Sequence, residues 1–300
     1  MRYIQSNLIF YVLPISFHRS KEVFVCCLTV NLPCVFWVAP SIRGGISSPR
    51  PASQRAAAFI LTAIMLTSLT APAFAKTWCI EDGNITVKAG DTGNDVTQKG
   101  ETTYGDTDTI ITNQNKDIAS SNTVTIETND KNDKVEVTLK DVNINVGSDS
   151  GSALTSNGDV TLTLKGDNSL TGGNGGSGIS SNGSLTITGG ENDSLTAKGG
   201  SGGSGIFSSG GVTISGGTVN ATGGSSGSDS GDGIHSGSLT MKGGTVNAKG
   251  GSGADGGSGI RTFSSGGVTI SGGSTVNATG GDASIDTNYL SLNVQMQVLV

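Results

Sequence analysis

The stretch GGVTISGGTVNATGG (residues 210–224) returns almost unchanged as GGVTISGGSTVNATGG (residues 266–281), with one serine inserted. In each copy, apolar side chains alternate with threonine, serine or asparagine, so every second side chain shares a face. This period of two is typical of a β-strand that buries one side. Glycine pairs separate the alternating segments and indicate corners of the chain, because glycine adopts positive φ without steric cost.

The repeat extends well beyond these two copies when the chain is aligned on its glycines. Motifs of the type GSGI end at positions separated by 25, 27, 28 and 26 residues, and two further alternating segments follow in constant order. The motifs end at Leu154, Ile179, Ile206, Ile234 and Ile260. Three short strands in each coil of about 24–30 residues predict an all-β fold, a parallel β-helix whose coils stack on one another.

The apolar positions of the three segments are expected to form three inward rows. One coil cannot bury its own apolar face, but neighbouring coils bury it for each other. The rows contain Ile179, Ile206, Ile234 and Ile260 in the first segment, Val212 and Ile214 or their equivalents in the second, and Val219 and Ala221 or their equivalents in the third.

The first 75 residues differ in character from the repeats. Residues 1–49 contain three of the four cysteines, and we interpret them as an upstream extension that is not part of the working protein. The alternative is a membrane segment at Val23–Val38. Residues 50–75 have the arrangement of a secretory signal peptide, with arginines, an apolar stretch and the cleavage motif Ala73-Phe74-Ala75. This predicts export, to the extracellular medium or the bacterial cell surface.

The expected mature chain begins at Lys76 and is acidic. It contains 12 Lys and Arg against 23 Asp and Glu, a net charge of −11, which argues against nucleic acid as a partner. Its single cysteine, Cys79, allows no intrachain disulfide, and no membrane span is expected in it. We divide it into an N-terminal cap with the first strands (76–121), the β-helix repeats (122–281) and a C-terminal strand or truncated end (282–300). The segment from Gly90 to Lys116 is polar and irregular.

The block KVEVTLKDVNINVGSDSGSALTSNGDVTLTLKGDNSLTGG (residues 134–173), followed by GGVTISGGTVNATGG units, resembles the secreted bacterial carbohydrate-binding β-helix proteins of Firmicutes. The resemblance covers about Thr109 to Gly281. It implies a right-handed parallel β-helix, binding of a plant-type or acidic polysaccharide, and bound calcium. The chain departs from sugar-binding sites that stack rings on aromatic platforms, because its mature part has few aromatic residues.

Catalysis is disfavoured by the scarcity of general acid and base groups. His235 stands alone in the mature chain, and Arg261 is its single arginine, with no aspartate expected in register beside it. Polysaccharide lyases combine such a fold with clustered aspartates and a basic residue, so a lyase is a minor alternative. Outward threonines such as Thr186 and Thr213 form a ladder of the kind that ice-binding solenoids use. Lys242 interrupts that ladder.

Calcium binding is the cofactor hypothesis, because stacked loops bring carboxylates together and calcium prefers hard oxygen ligands. The candidate ligands are Asp149, Asp229, Asp232, Asp255 and Asp282. The competing interpretation is that these acids are solvated and only keep the molecule soluble.

The function predicted from these patterns is non-catalytic, extracellular polysaccharide binding along one outer wall. Repeated Thr, Ser and Asn offer hydrogen bonds at a regular spacing, and scattered lysines offer positive charge to an acidic sugar. The candidate ligand-binding residues are Lys165, Lys198, Lys242 and Lys249. The principal alternative is a structural stalk or adhesin passenger that binds no glycan.

Overall fold

The computed structural model describes residues 4–5, 8–9, 74–128, 133–263, 265–280, 285–287 and 290–292. The chain divides into two compact units, Met1–Ser68 and Leu69–Val300. In the first unit the described residues form two short antiparallel strands, β1 (Ile4–Gln5) and β2 (Leu8–Ile9). The predicted membrane segment and residues 50–73 of the predicted signal peptide lie outside the described residues.

The second unit is an all-β solenoid of about six turns, as the repeat predicts. Each full coil contributes one strand segment to each of three columns, and equivalent segments pair in parallel from coil to coil. The first column contains β4 (Ile85–Ala89), β7 (Val124–Glu127), β10 (Leu154–Ser156), β13 (Ile179–Ser181), the starts of β16 (Ile206–Ile214) and β18 (Ile234–Met241), β20 (Ile260–Thr262) and β23 (Ile285–Asp286).

The second and third columns complete the coils. The second contains the end of β6 (Glu101–Thr112), β8 (Val135–Lys140), β11 (Val160–Lys165), β14 (Leu185–Thr188), the ends of β16 and β18, β21 (Val268–Ile270) and β24 (Leu290–Leu292). The third contains β9 (Asn143–Asn145), β12 (Asp167–Thr171), β15 (Ser194–Lys198), β17 (Thr218–Thr222), β19 (Thr245–Lys249) and β22 (Thr275–Thr279). Because β16 and β18 run through two columns, the first and second columns belong to one sheet, and the third column is a separate six-stranded sheet.

The core consists of the inward rows that the sequence predicts. Ile179, Ile206, Ile234 and Ile260 pair in register and are completely buried. Buried serines follow this row two residues later, and their hydroxyls donate to backbone carbonyls at the corner, as Ser181 does to Gly183 at 3.0 Å. A small hydroxyl is tolerated in this core because it satisfies its own hydrogen bond locally.

The N-terminal part is more regular than its composition predicts. β4 pairs in parallel with β7, and the end of β6 pairs in parallel with β8, so coils begin before residue 122. The segment from Gly90 to Lys116, expected to be irregular, contains β5 (Asn94–Gln98) and the long β6, which pair in antiparallel fashion. β3 (Phe74–Cys79), which spans the predicted cleavage point, pairs with β6, and a 3-10 turn (Ile80–Asp82) follows it.

Glycine serves two different purposes at the corners. Gly217, between the second and third columns, has φ of +73°, which is the reason that the sequence suggests. Gly224, after the third column, has no positive φ, but a Cβ there would clash with the carbonyl oxygen of Gly200 on the preceding coil. Close approach of two backbones therefore explains the second set of glycine pairs.

One carboxylate also fixes a corner. Asp193 accepts hydrogen bonds from the backbone N–H groups of Gly190 (2.7 Å) and Gly166 (2.8 Å), which belong to successive coils. These two hydrogen bonds stabilise the charged form and lower the pKa of Asp193.

Candidate functional site

Two of the four predicted lysines lie in one outward row of the third column. The last outward positions of its strands pair in register from coil to coil, and we call them the lysine row. The row consists of Asn145, Thr171, Lys198, Thr222, Lys249 and Thr279. Both lysines are exposed, and one coil separates them. At about 4.8 Å per coil, their backbones are about 10 Å apart.

An open groove of about 500 Å³ runs beside the lysine row. Lys198, Thr222 and Lys249 line it, and the glycine pairs after the third column, such as Gly223–Gly224, line it as well. Since these glycines carry no side chains, the floor of the groove consists of backbone, most of it buried, and the two lysines supply the positive charge of the groove. We call this surface the lysine groove.

A second outward row lies beside the lysine row on the same sheet. It contains Asn143, Ser169, Thr196, Asn220, Asn247 and Asn277. Asn277 donates to the side-chain oxygen of Asn247, and Asn247 donates to that of Asn220, each at 2.8 Å. An amide nitrogen carries two N–H groups and the ladder uses one, so the row retains capacity for hydrogen bonds to a ligand.

The other two predicted lysines lie elsewhere on the solenoid. Lys165 ends the second-column strand β11 and pairs in register with Lys140. Lys242 directly follows β18 at the end of that strand's second-column segment, and its backbone N–H donates to Ile214. The structure therefore does not join these lysines to Lys198 and Lys249 in one row.

The threonine ladder that the sequence predicts is present on the second column. Thr161, Thr186, Thr213, Thr240 and Thr269 pair in register over five coils. Threonine is common on exposed strand faces, so the ladder by itself does not distinguish ice binding from an ordinary solvated face.

The predicted calcium ligands do not converge on one point. Asp229 and Asp255 are exposed and form a parallel backbone bridge between neighbouring coils. Asp149 lies elsewhere, directly before Ser150, which forms a backbone bridge with Asn174. Asp232 is buried. Among the described residues, no group of three or more His, Cys, Asp or Glu side chains is placed to hold a metal ion. Asp282 lies outside the described residues, and calcium binding stays a prediction.

Asp232 belongs to a cluster that the sequence does not reveal at first sight. Phe207, His235, Arg261 and Asp286 pair in register as one outward row of the first column. Together with Phe263 and Asp232, they form what we call the aromatic–arginine cluster. The ring centroids of Phe207 and His235 are 5.6 Å apart, and those of His235 and Phe263 are 4.7 Å apart.

Asp232 links the charged members of this cluster. Its Oδ2 lies 3.2 Å from His235 Nδ1, and its Oδ1 lies 3.4 Å from Arg261 Nε and accepts the backbone N–H of Ser258 at 2.7 Å. The Asp232 side chain is only 8% exposed, whereas that of Asp286, 3.6 Å from Arg261 Nε, is 55% exposed. Burial lowers the pKa of His235; Asp232 and Asp286 oppose this change, and Arg261 adds to it.

The cluster corrects one expectation from the sequence. An aspartate does lie in register with Arg261, namely Asp286, and His235, the one histidine of the expected mature chain, contacts Asp232. The signal was present in the chain, since three of these residues directly follow the inward isoleucines Ile206, Ile234 and Ile260. The outward positions directly after the inward isoleucines therefore indicate this row in the sequence.

In the part of the chain that the structure describes, no helix has the length and apolar character needed to cross a membrane. Comparison with protein-family models, curated proteins and solved structures found no match to this chain.

Proposed function

We propose that this protein is a non-catalytic, extracellular binding protein for an acidic polysaccharide, which lies along the lysine groove. The observation that carries the proposal is the placement of Lys198 and Lys249 in one row, two coils apart with Thr222 between them, above a groove and beside a row of amides and hydroxyls. A linear polymer bound in this groove would lie parallel to the direction in which the coils stack, so it would contact equivalent side chains of successive coils.

The spacing of the lysines supports a polymer rather than a single sugar. A separation of about 10 Å is close to the length of two residues in an extended polysaccharide, so every second sugar can place a carboxylate near a lysine. Each exposed ion pair contributes little, about 0.2–1 kcal/mol. Repeated weak contacts along one chain give useful avidity.

Local charge also supports an acidic ligand despite the net negative charge of the chain. Interactions between exposed charges are largely screened beyond about 8–10 Å in physiological salt, so the lysines dominate the field inside the groove. The proposed absence of catalysis is supported by the lining of the lysine groove, which among the described residues includes no His, Arg, Asp or Glu side chain.

The test is a titration of the full-length chain with polygalacturonate, and with the fully methyl-esterified polymer as the uncharged control. We expect binding to polygalacturonate that weakens as salt is raised, and much weaker binding to the ester. The double variant Lys198→Gln/Lys249→Gln should lower the affinity about tenfold, which corresponds to about 1.4 kcal/mol.

The matched control is Lys165→Gln/Lys242→Gln, which removes the same charge from the second column and should change the affinity less than about twofold. Equal losses in both double variants would contradict the lysine groove as the site. Binding that disappears with a calcium chelator would instead support bridging by calcium at the loop acids. If the chain binds no polygalacturonate under any of these conditions, the result would support the alternative that the protein is a structural stalk.

A further inference from the structure

The aromatic–arginine cluster gathers residue types that the solenoid otherwise lacks. From residue 74 to residue 300, the sequence contains one histidine and one arginine, and both belong to the cluster. Phe207 and Phe263 are the phenylalanines that follow residue 74, and both belong to it as well. The four residues are spread over 57 positions of the chain, so their meeting at one place depends on the coil period.

The fold itself does not require these side chains at this place. In the preceding coils the same outward row contains Thr86, Thr125, Thr155 and Ser180, which pair in register up to Phe207. Small hydroxyl residues in the outward row are therefore sufficient for the first column to form over four coils. The change to aromatic and charged residues in the later coils has no counterpart in the core row, which stays aliphatic throughout.

The cluster has the chemistry of a sugar-binding site. Its rings are partly exposed, and aromatic rings offer an apolar surface to the C–H face of a pyranose. Arg261 and Asp286 lie side by side and both side chains are partly exposed, so a donor group and an acceptor group are adjacent, as two neighbouring hydroxyls require. The buried Asp232 holds Arg261 and His235 from below, which fixes their positions before a ligand arrives.

The charge of the cluster selects against an acidic sugar. Two carboxylates, Asp232 and Asp286, surround the single guanidinium of Arg261. Burial lowers the pKa of His235, so its imidazole is neutral at physiological pH. The balance is negative, and a carboxylated or sulfated sugar would be repelled.

We infer that the aromatic–arginine cluster is a second carbohydrate site, which binds a neutral sugar residue through two adjacent free hydroxyls. Phe207 and Phe263 supply the apolar contact, and Arg261 and Asp286 bind the hydroxyl pair. The site shares no residue with the lysine groove, so it does not depend on the proposed function.

The experiment uses His235 as the reporter. The full-length chain is labelled with ¹³C-histidine, which gives two imidazole signals because the sequence contains two histidines, His18 and His235. The variant His235→Gln assigns the signal. The labelled chain is titrated with cellohexaose, mannohexaose and xylohexaose, and the O-methylated form of any oligosaccharide that binds is the ligand control, since its oxygens no longer donate.

We expect at least one of the three oligosaccharides to shift the His235 signal in a saturable manner, and its O-methylated form to have no effect. Arg261→Gln and Phe263→Ala should each weaken the binding about tenfold or more. Lys198→Gln/Lys249→Gln should leave it unchanged. Asp286→Asn is the variant least able to disturb folding, because the Asp286 side chain is more than half exposed, and it should weaken the binding as well.

Two results would overturn the inference. One is a folded wild-type chain whose His235 signal responds to none of the three oligosaccharides at the highest soluble concentration. The other is a saturable shift that Asp286→Asn and Arg261→Gln both leave intact, which would place the ligand elsewhere. Polygalacturonate binding by the lysine double variant is measured separately. It tests the lysine groove and not the aromatic–arginine cluster.

Discussion

The inner and outer rows of the first column differ sharply, although they alternate along the same strands. The inner row runs through Ile179, Ile206, Ile234 and Ile260, all completely buried. The outer row runs through Ser180, Phe207, His235 and Arg261, one residue further along in each coil. Over these four coils, the inner row repeats isoleucine, whereas the outer row changes at every coil.

The difference shows which positions packing constrains. An inner side chain contacts its equivalents in the coils about 4.8 Å above and below it. The core is close-packed, so a change of even one methylene group alters the packing. An outer side chain faces solvent on one side, so packing leaves its identity open. Specific chemistry can therefore accumulate on the outer row without disturbing the coils, and the aromatic–arginine cluster is the clearest example.

The largest effect is expected from placing a charge in the inner row. Ile206→Asp buries a carboxylate without a partner, which costs several kcal/mol and is enough to unfold a domain of ordinary stability. Circular dichroism and urea denaturation of the full-length chain measure this effect. The control, Phe207→Thr, restores the residue type of earlier coils in the neighbouring outer position and should cost about 1 kcal/mol. Equal losses in the two variants would contradict the difference between the rows.

An intermediate effect is expected within the outer row at Arg261. Arg261→Gln removes a charged partner 3.4 Å from the buried Asp232 and should lower the free energy of unfolding by about 1–2 kcal/mol. Urea denaturation measures it, with Lys242→Gln as the exposed control, for which we expect less than about 0.5 kcal/mol. The loss should largely disappear when Arg261→Gln is made in an Asp232→Asn background. Additive losses would show that the two side chains do not interact.

The smallest effect concerns pH and His235. Its pKa is lower in the folded chain than the usual value of about 6.5, mainly because of burial. As the pH falls below about 7, the His235 imidazole takes up a proton more readily in the unfolded chain than in the folded one, so the free energy of unfolding decreases. The decrease continues until the folded state also protonates, and above about pH 7 the contribution is absent.

Urea midpoints at about pH 7.5 and about pH 5.5 measure this dependence, since most carboxylates titrate below that window. His235→Gln should reduce the decrease between the two values. A variant that loses as much stability as the wild-type chain over the same window would assign the dependence to other groups.

Much of the solenoid was predictable from the sequence because its signals are local. Alternation within VTLTL (residues 160–164) predicts β11 and its buried face, and the constant spacing of the GSGI motifs predicts which residues stack. The prediction was weaker where repeats fade, and it missed the antiparallel pairing of β5 with β6. Polar strands without repeated glycines carry no local signal that separates them from loops.

The candidate sites were less predictable, for a different reason. Lys198 and Lys249 hold the same position in SLTAKGG (194–200) and TVNAKGG (245–251), so their shared row follows from the repeat, whereas Lys165 ends and Lys242 directly follows a second-column segment. Asp149, Asp229 and Asp255 lie in loops without alternation, and the structure bridges Asp229 with Asp255 but not with Asp149.

The sequence by itself determined the coil, the three columns and the inner rows, because alternation and glycine placement act over a few neighbouring residues. Only the tertiary structure decided which loop side chains contact the outward rows, because such contacts, like that of Asp232 with Arg261, join different coils. Asp232, His235 and Arg261 became one cluster through this stacking. Their chemistry depends on a buried carboxylate and partly exposed rings, and burial is a property of the packed coils rather than of any one segment.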